Sequence, residues 1–206
     1  MNTIRPTHLF IVASILLFGG WFFWPNPTPL LPTAGTTVVM FGDSLAAGTG
    51  ATLGGDIASR LSTHLEMPVR NLGVPGDTTA TGLARANTLS AVDPRVVIVL
   101  LGGNDALKKV PIKETFSNLA SLIEYIQSIG ATVILVGEPG GLYGNSYEKE
   151  YERLAKKYRT FYIPNILSGL IGRTEYMSDY IHPNDAGYEK ATARILPVVN
   201  TALRNF

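Results

Sequence analysis

From residue 36 onward the chain alternates two kinds of apolar pattern. Short runs rich in β-branched residues recur at 37–41 (TVVMF), 69–72, 95–101 (RVVIVLL), 131–136 (ATVILV) and 160–163. Each reads as a strand. The 95–101 run has no polar alternation, the mark of a strand covered on both faces. Between these runs, residues 56–66 carry Ile57, Leu61 and Leu65 four residues apart, and this spacing predicts a helix. Further helices are expected over 78–89, over 112–129 with Gly130 as its stop, over 147–158 and over 185–203. Strands and helices in strict alternation predict an α/β fold, a three-layer αβα sandwich around a five-stranded parallel sheet. Ligands of such sheets bind at the carboxyl ends of the strands, so the residues just after each strand are the first candidates for chemistry.

Residues 9–24 (LFIVASILLFGGWFFW) form a different pattern: 16 positions without a charge, with Arg5 before them and Pro25, Pro27, Pro29 and Pro32 after. The prolines end any helix and make a stiff linker. The length falls between the apolar stretch of a cleaved secretory signal, about 7–15 residues, and a membrane span, about 17–25. The aromatic run Trp21, Phe22, Phe23 and Trp24 suits a retained anchor at a membrane interface. Thr33-Ala34-Gly35 is the nearest approach to a cleavage site. With the positive end held inside, both readings export the rest of the chain. The domain then either faces the periplasm or exterior from an inner-membrane anchor or is periplasmic or secreted. Two parts are therefore expected: residues 1–35, an N-terminal hydrophobic helix with its Pro-rich linker, and residues 36–206, the catalytic domain.

Composition removes several classes of function. Seventeen Lys and Arg against 16 Asp and Glu leave a net charge of +1, which argues against a partner bound through phosphate neutralisation, and so against nucleic acid. The absence of cysteine removes disulfides, thiolate metal sites and a cysteine nucleophile. With only three histidines, His8, His64 and His182, a multi-histidine metal centre is not expected. Gly48, Gly50 and Gly54 are spaced one residue too widely for a dinucleotide fingerprint.

Four polar or glycine-rich turns follow the strands: 42–45 (GDSL), 71–76 (NLGVPG), 102–105 (GGND), and 179–184 (DYIHPN) before the last helix. Gly42 lets the chain turn sharply and lift the Ser44 hydroxyl to the rim. A serine attacks a carbonyl only when a base takes its proton. His182 is the histidine in a loop at that rim; His8 lies beside the apolar segment and His64 on an amphipathic helix. Asp179, three residues earlier, can reach back to hold the second ring nitrogen. The Ser44 amide, the Gly73 amide and the Asn104 side chain are candidate donors to a developing oxyanion. Asp43 is read as ordering the Ser44 turn. Leu45, Asp105 and Tyr143 are candidates for touching substrate, Tyr143 within a Gly-rich, aromatic 137–150 segment read as a lid over the acyl chain.

GDSL at 42–45, Gly73, GGND at 102–105 and DYIHPN at 179–184 resemble, in order, the conserved blocks of the SGNH (GDSL) hydrolase family. Residues 71–85 and 101–108 are similar to its bacterial thioesterase I/lysophospholipase and arylesterase branch. The resemblance implies a flavodoxin-like fold and hydrolysis of small-molecule acyl esters or thioesters with no metal or cofactor. It implies Ser44, His182 and Asp179 as catalytic residues, with Ser44, Gly73 and Asn104 around the oxyanion. A carbohydrate O-acetyl esterase and a catalytically silent membrane-tethered binding module are the competing readings.

Overall fold

The structure, a computed structural model, describes residues 28–33, 35–138 and 145–204. The expected N-terminal helix and Tyr143 lie outside these residues. Among the described residues no helix is long and apolar enough to cross a membrane.

Five strands, β1 (Thr37–Gly42), β2 (Val69–Gly73), β3 (Pro94–Leu100), β4 (Thr132–Val136) and β5 (Phe161–Ile163), form one parallel sheet in the order β2-β1-β3-β4-β5. Val96 to Leu100 are fully buried, as the unbroken apolar run of β3 requires. Successive side chains go to opposite faces. Val38, Met40, Val96, Ile98, Leu100 and Ile134 pack under α2 (Ile57–Leu65) and α7 (Asp185–Arg204). Val39, Phe41, Val97, Val99 and Leu135 pack under α5 (Ile112–Ser128) and α6 (Asn145–Tyr158). The edge strand β2 is half open to solvent and carries Arg70 and Asn71, which blunts pairing with another chain.

Three elements depart from the sequence reading. Ser44–Ala47 (α1) and Gly103–Leu107 (α4) are short helices directly after β1 and β3. The helix expected over 78–89 splits into α3 (Thr79–Ala84) and a 3₁₀ segment, Ala86–Val92. The break is at Arg85, whose amide bonds back to Gly82 while its side chain leaves the helix for Asp77 and the Gly42 carbonyl. The stop at Gly130 is a Schellman motif: Gly130 has φ +84°, its amide donates to Gln127 O, and the Ala131 amide donates to Ile126 O.

Part of the Pro-rich linker belongs to the folded domain rather than preceding it. The Leu30 amide donates to Arg159 O at 2.7 Å, Thr132 Oγ1 donates to Leu30 O at 2.8 Å, and the Thr33 amide donates to Gly130 O at 2.8 Å. Arg159 Nε also donates to Thr28 O, and Pro32 is buried. These partners stand just ahead of β4 and β5, so residues 28–33 cross the amino pole of the sheet as a strap.

Candidate active site

Strand order reverses direction between β1 and β3, and their carboxyl ends open the crevice where a doubly wound sheet binds its ligand. β1 delivers Asp43 and Ser44 there; β3 delivers Gly102, Gly103 and Asn104. Asp43 caps α1, its Oδ1 accepting from the Leu45 amide at 3.0 Å, and this places Ser44 at the first helical position. The paired glycines have separate reasons. Gly102 has φ +131°, and a Cβ there would stand 2.1 Å from the Tyr151 hydroxyl; a Cβ on Gly103 would stand 2.1 Å from Glu138 Oε2.

The histidine arrives on the loop after β5. Met177 bridges Pro183 in an antiparallel pair, and the Ser178 amide and hydroxyl both donate to His182 O, closing a tight turn. Within it, Asp179 Oδ1 accepts from the Ile181 and His182 amides at 2.8 and 2.7 Å. Asp179 Oδ2 lies 2.7 Å from His182 Nδ1, and His182 Nε2 lies 2.9 Å from Ser44 Oγ. Partial desolvation pulls the Asp179 carboxyl up, but the bonds from the His182 ring and the two amides outweigh it and hold it at about 2. It is ionised above about pH 2 and fixes Nδ1 as the protonated nitrogen, leaving Nε2 to accept from Ser44.

The donors are arranged differently from the sequence reading. The Gly73 amide donates to Asn71 Oδ1 at 2.9 Å, and its free face is against Ala46 and Ala47. β2 runs through Gly73, which pairs with Gly42, so its conformation serves close packing onto α1. The turn lies later, where the Asp77 amide bonds to Val74 O and Gly76 takes φ +86°. Among the described residues the Gly76 and Ser44 amides donate to no group. Asn104 Nδ2 donates to Asp77 O at 3.0 Å and to Asp43 Oδ2 at 3.2 Å. Asp105 does not line the cavity. It is fully buried, and its carboxylate accepts from the Thr79 amide and hydroxyl at 2.8 and 2.5 Å, tying α4 to α3. Leu45 does line it.

The cavity beside Ser44 and His182 holds about 450 Å³, within the range of small-molecule sites. Leu45, Ala106, Leu107, Leu167, Ile171 and Ile181 make most of its wall apolar. Glu138, at the end of β4, also lines it and escaped the sequence reading. Its signal was present: a charged residue one glycine after the apolar run 133–136 (VILV), at the same rim as the other candidates.

A serine, histidine and aspartate in bonded series at the switch point of a doubly wound sheet have the arrangement of a serine ester hydrolase. A model of the GDSL-like lipase/acylhydrolase family matches residues 40–190, and the chain belongs to that family. It is 30% identical over 182 residues to "Esterase TesA" of Pseudomonas aeruginosa, covering 82% of this chain and 90% of that one. It is 32% identical over 162 residues to the "Arylesterase" of Vibrio mimicus, covering 73% of this chain and 81% of that one. Among solved structures, that of TesA superposes with a TM-score of 0.76 at 30% identity, covering 82% of this chain and all of that one.

Proposed function

We propose that the protein is a serine esterase that hydrolyses short-to-medium acyl esters through an acyl-enzyme. One observation carries this reading: Ser44 Oγ, 2.9 Å from a His182 ring held at 2.7 Å by Asp179, opens onto an apolar cavity. His182 takes the Ser44 proton as Oγ adds to the acyl carbonyl, and Asp179 stabilises the imidazolium. The oxyanion is met by the Ser44 amide, the Asn104 amide and the Gly76 amide, which takes the place first given to Gly73. Nδ2 of Asn104 turns one hydrogen from Asp43, its longer bond, to the new acceptor. The tetrahedral intermediate collapses as His182 returns the proton to the leaving alkoxide or thiolate. Water then adds to the acyl-serine with His182 again as base, and the acid is released.

The apolar wall supports an acyl chain as the group bound beside Ser44. Export of the catalytic domain rests on the sequence of residues 5–24 alone, and fractionation of expressing cells tests it. For the mechanism, the full chain and Ser44→Ala are compared on a p-nitrophenyl ester series from acetyl to palmitoyl. The expected result is activity on chains of intermediate length that falls by about 10⁴–10⁶ in the variant. A loss under about tenfold overturns the role of Ser44. Acetyl-only activity transfers the reading to a carbohydrate O-acetyl esterase.

A further inference from the structure

Glu138 has no part in the steps above, yet it is 5% exposed, lines the cavity, and accepts the Gly103 amide on Oε2 at 2.5 Å. Its other oxygen, Oε1, is buried and accepts from no group among the described residues. The Asp43 carboxyl, itself 2% exposed, stands against it. Two carboxyls cannot both ionise in such a place, because each loses water and repels the other. The arrangement satisfies itself when one proton is held between them.

We propose that Glu138 is a positioning residue for the ester hydrolysis proposed above: its carboxyl group shares one proton with Asp43, and this holds the Gly103–Asn104 turn and keeps the Asn104 amide available to the oxyanion. Two links make the connection. The Gly103 amide anchors the backbone that carries Asn104. Asp43 Oδ2 is one of the two acceptors that Asn104 Nδ2 must partly leave when substrate binds. A hydrogen bond from Glu138 to Asp43 lowers the negative charge competing for that N–H. Loss of the shared proton places a second buried negative charge beside the site where the oxyanion forms, and like charges there raise the barrier.

The surroundings agree. Burial, then Asp43 and Asp105, push the Glu138 carboxyl well above its ordinary range. Burial also raises Asp43 to about 7, against the opposing pull of the Leu45 amide and of His182, with Asp77 adding to the rise. Tyr151 on α6 and Tyr188 on α7 face the pair as neutral phenols, each raised first by burial. The nearby cation, Arg85, is engaged by Asp77 at 2.6 Å and by the Gly42 carbonyl. His182 belongs to the Ser44 side of the cavity.

The test measures kcat and KM against pH for the full chain, Glu138→Gln and Glu138→Leu, with nitrophenol read at its isosbestic wavelength and folding checked by thermal melting. The expected wild-type profile falls on the alkaline side as the shared proton leaves. Glu138→Leu is expected to lose roughly tenfold or more in kcat with little change in KM. Glu138→Gln keeps a donor without a titrating proton. It should recover most of that loss and move the alkaline fall upward by about one pH unit or more. Superimposable wild-type and Glu138→Gln profiles overturn the proposal, even if Glu138→Leu fails to fold. Ser44→Ala separates the two levels. An active Ser44→Ala sinks the serine mechanism itself, whereas an inactive one with an unmoved Glu138→Gln profile sinks only the role of Glu138.

Discussion

Asn104 donates through Nδ2 to two acceptors in the unliganded site, Asp77 O and Asp43 Oδ2. Its side chain is therefore held in place before substrate arrives, and one N–H has to turn from Asp43 to meet the oxyanion in the mechanism proposed above. Asn104→Ala is expected to lower kcat about 10²–10³-fold with a much smaller effect on KM, measured on the best substrate of the ester series. That Ser44, Asn104 and His182 share one rim was legible, because each stands in a turn that follows a strand or precedes the last helix. Gly73 was misread for the same reason: it is the first glycine after an apolar run, but β2 extends through it and Asn71 takes its amide. Only the φ of Gly76 and the partners of the neighbouring amides distinguish the two glycines. Glu138 was overlooked because a lone charge in a Gly-rich stretch reads as loop until its burial is known.

Element by element, the five strands and the longer helices agree with the sequence pattern to within one or two residues, because burial on both faces makes β3 from Val96 and β4 from Val133 unbroken apolar runs. The helices α1 and α4, at 4 and 5 residues, are too short for any periodicity to announce them. The cooperation between α6 and β3 was also invisible. Tyr151 of α6 is fully buried, packs edge-on against Phe116, and donates to the Leu101 carbonyl at 2.6 Å, where β3 ends and the GGND turn begins. Tyr151→Phe preserves the ring but strands that carbonyl without its donor. It is expected to destabilise the fold by about 1–3 kcal/mol, read by denaturant unfolding. A similar long-range tie holds the other side of the site, where Asp185 at the start of α7 accepts the Thr52 amide and hydroxyl. No local pattern links residues 133 apart.

Across the whole molecule, the buried acid pair couples stability to pH. Glu138 and Asp43 bind protons more tightly folded than unfolded. Their contribution is thus complete below the ordinary carboxylate range and is lost as pH rises, for Asp43 through about 7 and for Glu138 well above the ordinary carboxylate range. The melting temperature of Glu138→Gln relative to the parent is expected to climb from pH 5 to pH 8, about the interval over which the parent must give up a buried proton. Parallel melting curves across that interval would show that Glu138 ionises freely. The strap of residues 28–33 has a consequence of another kind. It brings the chain onto the domain at the amino pole of the sheet, while α7 starts beside His182 and runs 20 residues away from the rim, about 30 Å, before Arg204. Both ends of the described chain thus leave from the pole opposite the cavity mouth. A bead or fusion partner joined to the chain at residue 28 or after Arg204 is therefore attached at the pole far from Ser44.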